Sequence, residues 1–394
     1  MPYFTLHTYP LQNRTVLVRV DYNVPLKNEK VEDNSRIRAS LPTLQCLLEH
    51  HCKLVLATHL GKPDGKIVEA LRVGPLAKEL QRLLGRKVIK LDDCLGPEIK
   101  QRIQQGKLGQ IFLLENLRFY KEEEQNNPIF AHSLASLADV YVNEAFSASH
   151  RAHASIVGIP YFLPAVAGFQ LEKEIAYLSK ALQPERPAVW IMGGAKLDKI
   201  ELLRQALQKA DLVLIGGALA FPFLRAQGYS VGMSKMSAEA VRIAKNILQT
   251  KTAKKLVLPV DVVVADDFSL QATSRTVLAA EIPTTAFGLD LGPQTVQLFK
   301  RYLQPARTLV WNGPLGYFEW EKYSKATKEI GRYIVGLPAI SIVGGGETAQ
   351  AMHKFHLDLR LTHVSTGGGA AIEFLMGKKL PGVEALEKNY RRFT

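Results

Sequence analysis

Short apolar runs alternate with longer amphipathic stretches along the whole chain. Residues 16–20, 54–58, 110–114 and 140–143 are nearly continuous aliphatic or aromatic runs, which predicts buried strands. Residues 42–50, 75–84 and 128–138 carry apolar positions three and four apart, which predicts helices. The second half repeats the scheme. Strands are predicted at 188–192, 212–215, 255–258, 308–311, 339–343 and 362–364, and helices at 198–209, 238–248, 294–303, 322–333 and 347–355. Such alternation predicts parallel sheets with helices on both faces, in two similarly built α/β domains. The boundary falls near 165–185, where Pro160 and Pro164 precede a polar-faced helix at 169–182 that ends before Pro184 and Pro187. That helix reads either as a rigid connector or as an ordinary surface helix.

Length supports the division, because 394 residues exceed one ordinary core. An apolar fraction of 47% against 22% charged excludes a disordered chain. The charge adds direction: 50 Lys and Arg against 37 Asp and Glu give +13, which predicts an anionic partner. Nucleic acid, anionic lipid and a phosphorylated small molecule all satisfy that. A nucleic-acid reading lacks a compact Lys/Arg run, interleaved aromatics or a recognisable binding module. The segment 152–171 is broken by Pro160 and Pro164, so no membrane span is expected. Cys46, Cys52 and Cys94 form no Cys-x-x-Cys pair, which fits a reducing compartment and a cytoplasmic address.

In open α/β sheets ligands bind beyond the carboxyl ends of strands, so the residues following each strand matter most. In the first half these are Asp21 and Asn23, Arg36, His59 to Lys62, Arg118, and His150-Arg151-Ala-His153. A single Arg there is ordinarily a surface ion pair. Its repetition at successive predicted strand-end loops describes a pocket for a small, hydroxylated, doubly anionic molecule, because the guanidinium fork binds phosphate or carboxylate bidentately. The second half is glycine-rich instead: Gly193-Gly-Ala-Lys196-Leu-Asp-Lys199, Gly216-Gly217, Gly288 to Gly292, Asn312-Gly-Pro314, Gly344 to Thr348, and Gly367-Gly368-Gly369. Glycine lets backbone N–H groups approach a phosphate, and a following helix adds its unpaired donors. No Gly-x4-Gly-Lys-Ser/Thr or Gly-x-Gly-x-x-Gly occurs, which excludes a P-loop and disfavours a standard dinucleotide fold.

The segments Arg19-Val-Asp-Tyr-Asn-Val-Pro25, His59-Leu-Gly61, Glu115-Asn-Leu-Arg118-Phe119, His150-Arg-Ala-His-Ala-Ser155, Asn312-Gly-Pro-Leu-Gly316 and Ser365-Thr-Gly-Gly-Gly-Ala370 occur in this order. In them the chain resembles the phosphoglycerate kinases from Val16 to Leu386. The resemblance implies two doubly wound, Rossmann-like domains: a phosphoglycerate domain at 1–168, a connecting helix at 169–184 and a nucleotide domain at 185–375. A C-terminal segment, 376–394, would pack back on the first domain. It implies reversible phosphoryl transfer from 1,3-bisphosphoglycerate to ADP, giving 3-phosphoglycerate and ATP in glycolysis. Magnesium would accompany the nucleotide in a monomeric enzyme with no nucleic acid or membrane partner. The alternative is a nucleotide-binding relative with altered catalysis.

By the same resemblance Asp21, Tyr22, Asn23, Arg36, His59, Leu60, Gly61, Lys62, Arg118 and Arg151 would bind phosphoglycerate. Lys196, Lys199, Gly216, Gly217, Gly292, Asn312, Pro314, Glu319, Gly345, Gly346, Glu347 and Thr348 would bind nucleotide, with Glu347 towards the metal. Arg36, Lys196, Lys199, Gly345 and Gly368 would supply the charge and donors for transfer. Three positions depart from the family pattern. Lys62 stands where the family has Arg and lacks the fork. Glu347 stands where it has Asp, one methylene longer. Lys196 and Lys199 are three apart rather than four, with Lys199 assigned to the transferred group and Lys196 to the nucleotide.

Overall fold

The computed structural model describes residues 2–194 and 199–394. Two compact units emerge, residues 1–175 with 379–394, and residues 176–378. The division falls inside the helix Phe169–Leu182.

The first unit is built on a seven-stranded parallel sheet. Its strands are β1 (Phe4–Thr5), β2 (Thr15–Arg19), β3 (Lys53–Ala57), β4 (Val88–Lys90), β5 (Ile111–Leu113), β6 (Val140–Asn143) and β7 (Ala165–Ala167), in the order β1-β7-β6-β2-β3-β5-β4. β3, β5 and β6 are buried along their whole length, as expected of strands covered on both faces. The chain winds outward from β2 through β3, then resumes at β6 on the other side. β2 and β6 therefore flank the reversal point, where open sheets of this kind bind ligands. The C-terminal helix Pro381–Phe393 belongs to this unit; Asn389 donates to the carbonyl of Leu163 at 2.7 Å and accepts from Ala165 N–H at 2.7 Å.

One helix differs from its sequence reading. The expected start was Pro42, because proline favours the first turn. The helix instead runs Ser35–Glu49, with Pro42 inside it. Ile37, Ser40, Leu44 and Leu47 are all buried on one face. Their packing offsets the roughly 3 kcal/mol an interior proline costs. Arg36 consequently sits on the first turn of a helix and not in a loop.

The second unit carries a six-stranded parallel sheet: β8 (Ala188–Met192), β9 (Leu212–Ile215), β10 (Leu256–Val257), β14 (Thr308–Asn312), β15 (Ile340–Gly344) and β16 (His363–Val364). The order is β10-β9-β8-β14-β15-β16, which places the reversal between β8 and β14. Beside it lies an antiparallel sheet that the sequence pattern does not predict: β11 (Asp261–Ala265), β12 (Ser274–Leu278) and β13 (Phe287–Leu291), with β11 central. β12 is largely exposed and lacks apolar alternation, and Gly288 disguises β13 as a turn.

Several lysines cap backbone. Lys53 donates to Ile103 and Gly106 carbonyls, Lys255 to those of Leu207 and Ala210, and Lys354 to those of Phe318 and Glu319. Part of the charge excess is therefore structural rather than addressed to a ligand.

Candidate active site

In the first unit the polar groups gather beyond β2, β3 and β6. Arg36 and Ser147 both donate to Asp21 Oδ2, which joins the helix Ser35–Glu49 to the segment after β6. Asn23 accepts from the Gly61 N–H at 2.9 Å and so holds the turn after β3. Gly61 has φ +65°, and a Cβ there would meet Leu71 at 2.8 Å, so the turn requires glycine. Asn116, which sequence reasoning left as mere motif, clamps the same turn. Its Oδ1 accepts from Leu60 N–H at 3.1 Å and its Nδ2 donates to Leu60 O at 2.8 Å. Arg118 donates to Gly61 O at 2.9 Å and lies 3.2 Å from Glu124. Arg151 forms no ion pair among the described residues; its Nε–H donates to His150 at 3.3 Å. Lys62 is exposed.

Tyr22 and Leu60 are 0% and 2% exposed, and the Tyr22 hydroxyl bonds Ser40 at 2.7 Å. Their side chains serve the core and their N–H groups are held by Thr58 Oγ1 and Asn116 Oδ1, so both residues shape the strand-end turns. Behind His59 lies a buried polar chain. Arg19 contacts His59 Nδ1 through Nη2 at 3.1 Å and donates from Nε to Ser155 Oγ at 2.8 Å. The Ser155 hydroxyl and N–H in turn donate to the fully buried Glu123. Burial first, then the nearby Arg19, Arg118 and Arg151, hold the His59 imidazole well below its usual range. Burial, Arg118 and Arg19 bring His153 down to about 3. The region is thus rich in positive charge, and both His59 and His153 resist protonation.

In the second unit three strand-end turns knit together at the reversal point. Gly193 N–H donates to Asn312 O, Gly194 N–H to Pro314 O and Gly217 N–H to Leu315 O, at 2.9, 2.9 and 3.1 Å. A Cβ on Gly313, at φ +97°, would lie 2.0 Å from Gly193 O, so side chains are excluded where these turns cross. Lys199, buried, places Nζ in this crossing, 3.7 Å from Glu347 Oε2. Lys196 lies outside the described residues.

A cavity of about 550 Å³ opens beside the turns. Phe221, Phe268, Phe287, Leu291 and Leu315 give it apolar walls, while Glu319 and Glu347 stand at its polar margins. Gly217, Pro314, Glu319 and Glu347 line it, and Gly216 packs directly behind, where a Cβ would meet Leu315 at 2.5 Å. Gly292 does not line it. The helix it precedes, Pro293–Leu303, is already capped by Asp261, whose carboxylate accepts from Gln294 and Thr295 N–H at 3.0 and 2.7 Å. Gly288 is the glycine of that stretch that reaches the cavity. Asp290 lines it too; burial pushes its carboxyl up to about 7. The glycine spacing makes this stretch read as a turn, so the sequence marks neither residue as part of a cavity wall.

Asn312 is fully buried with neither amide atom hydrogen-bonded among the described residues, directly beneath the Gly344–Gly345 turn. An orphaned buried amide marks a site awaiting a polar partner. Gly345 has φ +88° and, with Gly346, opens the helix Gly346–Lys354. Thr348 is buried and accepts from Gly313 N–H at 2.6 Å, so its oxygen holds the neighbouring turn. Gly368, at φ +54°, precedes the short helix Gly369–Leu375.

No cluster of three or more His, Cys, Asp or Glu ligands exists among the described residues. A lone carboxylate beside phosphate donors nevertheless suits magnesium, which keeps several waters and takes one or two carboxylates plus substrate phosphates. Glu347 meets that requirement.

The family model described as phosphoglycerate kinase matches residues 6–378. The phosphoglycerate kinase of Moorella thermoacetica is 49% identical over 390 residues, 98% of this chain and 99% of that protein. The solved phosphoglycerate kinase from Coxiella burnetii superposes with a TM-score of 0.90 at 37% identity, covering 99% of this chain and 100% of that one. That from Pyrococcus horikoshii OT3 gives 0.87 at 33% identity, covering 99% and 100%.

Proposed function

The chain belongs to the phosphoglycerate kinase family and is an ATP-dependent phosphotransferase acting on 3-phosphoglycerate, and from that premise we propose how its residues divide the work. Asp21, Asn23, Arg36, His59, Arg118 and Arg151 bind phosphoglycerate, beside the Leu60–Lys62 turn, whose Leu60 and Gly61 N–H groups are held by Asn116 and Asn23. The cavity of the second unit takes the base, Glu319 the ribose, and Asn312 with the Gly345–Thr348 turn the phosphates. We assign the first unit to phosphoglycerate, the second to nucleotide and the helix Phe169–Leu182 to their connection. The observation that carries this reading is that each sheet reverses at a furnished point. One presents arginines and neutral histidines, the other crossing glycine turns and Lys199.

The chemistry asks little beyond position and charge. A carboxylate is already a nucleophile, so no general base is needed. The migrating phosphoryl carries charge on its equatorial oxygens, and donors fixed in advance stabilise it. Within the second unit Lys199 and the N–H groups following Gly345 and Gly368 are donors of this kind; within the first unit Arg36 is one. Glu347 would hold magnesium, which supplies charge neutralisation at the phosphates when bound.

We further read the enzyme as monomeric, cytoplasmic and free of nucleic-acid or membrane partners. All three cysteines are unpaired, which accords with a reducing compartment.

Turnover of 3-phosphoglycerate with MgATP, coupled to reduction of the 1,3-bisphosphoglycerate formed, tests the assignment. Arg36→Ala should lose turnover by orders of magnitude while binding ATP normally. Near-normal turnover in that variant would remove Arg36 from the machinery.

A further inference from the structure

His59 is the only imidazole assigned to phosphoglycerate above, and an imidazole can serve an anion only through a nitrogen that bears a proton. Which nitrogen bears it is set by the bond the other makes. Nδ1 of His59 lies 3.1 Å from Nη2 of Arg19. A guanidinium has donors and no acceptor. Nδ1 must therefore be the lone-pair nitrogen, and the single proton of the neutral ring resides on Nε2. Among the described residues no protein acceptor engages Nε2, so that N–H is available to a ligand.

Arg19 is itself fully engaged. It is 1% exposed, and each part of its fork is committed: Nε to Ser155 Oγ at 2.8 Å, Nη1 to Val20 O at 2.6 Å, and Nη2 to His59. Ser155 is oriented in turn. Its hydroxyl proton goes to Glu123 Oε1 at 2.5 Å, which leaves the oxygen lone pairs for Arg19. Glu123, 0% exposed, provides the buried charge that makes a buried arginine tolerable. The groups around the ring are Arg19, Arg118, Arg151 and His153, all of which oppose a second proton on it.

We propose that Arg19 is a positioning residue for phosphoglycerate binding: anchored by Ser155 and Glu123, it fixes His59 in the Nε2–H tautomer and aims that one donor at the substrate. This rests on the assignment of His59 to phosphoglycerate. A cationic imidazole would bind an anion more strongly but would rotate and titrate within the physiological range. A locked neutral donor binds identically across it.

Nitrogen-15 NMR of histidine-labelled wild-type protein reads the tautomer without a mutation in the network. The His59 signals are identified by their loss in His59→Gln. The expected result is an unprotonated Nδ1 and a protonated Nε2, unchanged from pH 6 to pH 8. A protonated Nδ1, or a cationic ring at pH 7, overturns the proposal. Kinetics then separate positioning from mere support. Arg19→Lys should raise KM for 3-phosphoglycerate by about tenfold, the loss of roughly one hydrogen bond to a charged group, with KM for ATP unchanged. Added to His59→Leu, the same substitution should have no further effect on KM. An additive effect, or an equal rise in both KM values, would show that Arg19 acts otherwise. His59→Gln carries an amide donor where Nε2–H stood, and should keep more affinity than His59→Leu. If neither His59 variant alters KM for 3-phosphoglycerate, the assignment of His59 fails, and that outcome is distinct from the wrong tautomer.

Discussion

Lys199 donates from Nζ to the carbonyl oxygen of Gly193 at 2.9 Å, so the ammonium is tethered to one of the turns that cross at the second sheet's reversal. A Cβ on Gly194 would come within 2.2 Å of that nitrogen, and one on Gly313 within 2.6 Å. The surrounding glycines thus make the space that the lysine fills. A buried ammonium is costly unless it meets a substantial negative charge. Lys199→Met should retain the fold and lower kcat by roughly 100-fold or more, the effect of deleting one preorganised donor to a charged transition state. Thermal unfolding should show a midpoint no lower than wild type. A large drop in midpoint with little change in kcat would make Lys199 a structural residue.

Glu347 stands on the first turn of the helix Gly346–Lys354, 3.7 Å from Lys199. Its extra methylene, relative to aspartate, lets a carboxylate reach from that turn into the cavity. Glu347→Gln should raise the magnesium concentration needed for half-maximal turnover about tenfold, because one anionic ligand is lost. KM for 3-phosphoglycerate should not move. Isothermal titration of magnesium into the ATP complex measures the same change without turnover. An unaltered magnesium dependence would place the metal elsewhere.

Much of this arrangement is legible in the amino-acid pattern. Aliphatic runs located the main parallel strands, and their end residues carried nearly every group discussed above. What stayed hidden depends on long-range pairing. β12 and β13 pair with β11 through antiparallel registers that leave no periodic trace in so exposed a strand. Gly288 therefore read as a turn, and Gly292 as the glycine beside the base. Only the Asp261 carboxylate, seated at the helix N-terminus after Gly292, shows what that glycine packs against. Arg19 was likewise in plain view, but its value lies in one contact with a residue forty positions away.

His153 gives the first unit a dependence on acid. Its folded value is about 3, against an ordinary histidine value of 6.5, because burial and the neighbouring arginines oppose its protonation. The unfolded chain then binds the proton more readily, so this contribution is present above pH 6.5 and is lost as pH falls towards 3. Replacing the ring by an amide, His153→Asn, removes the proton-binding difference. Chemical denaturation at stepped pH should show wild type losing more stability than the variant between pH 6.5 and 4. Parallel losses in the two proteins would mean that His153 titrates normally.

Asp290 has the opposite sign. Asp290 is 4% exposed, and its carboxyl accepts from Leu291 and Ala326 N–H at 2.9 and 3.1 Å and is pushed up from 3.8 to about 7 because burial penalises its charge. The folded protein now holds the proton more tightly than the unfolded chain. The associated stability is complete below pH 3.8 and is lost as pH rises through about 7. Because Asp290 joins the wall of the cavity proposed for nucleotide to the start of the helix Lys325–Ile334, the same proton should bear on nucleotide affinity. Asp290→Asn cannot ionise; it keeps one acceptor oxygen and turns its NH2 towards the other N–H, which lowers stability by the same amount at every pH and leaves no slope. Its stability should be flat from pH 5 to pH 7.5 where wild type declines, and its affinity for ATP should lose any pH dependence centred near 7. If the two proteins keep the same slope across that interval, the Asp290 carboxylate is ionised throughout and its backbone donors outweigh its burial.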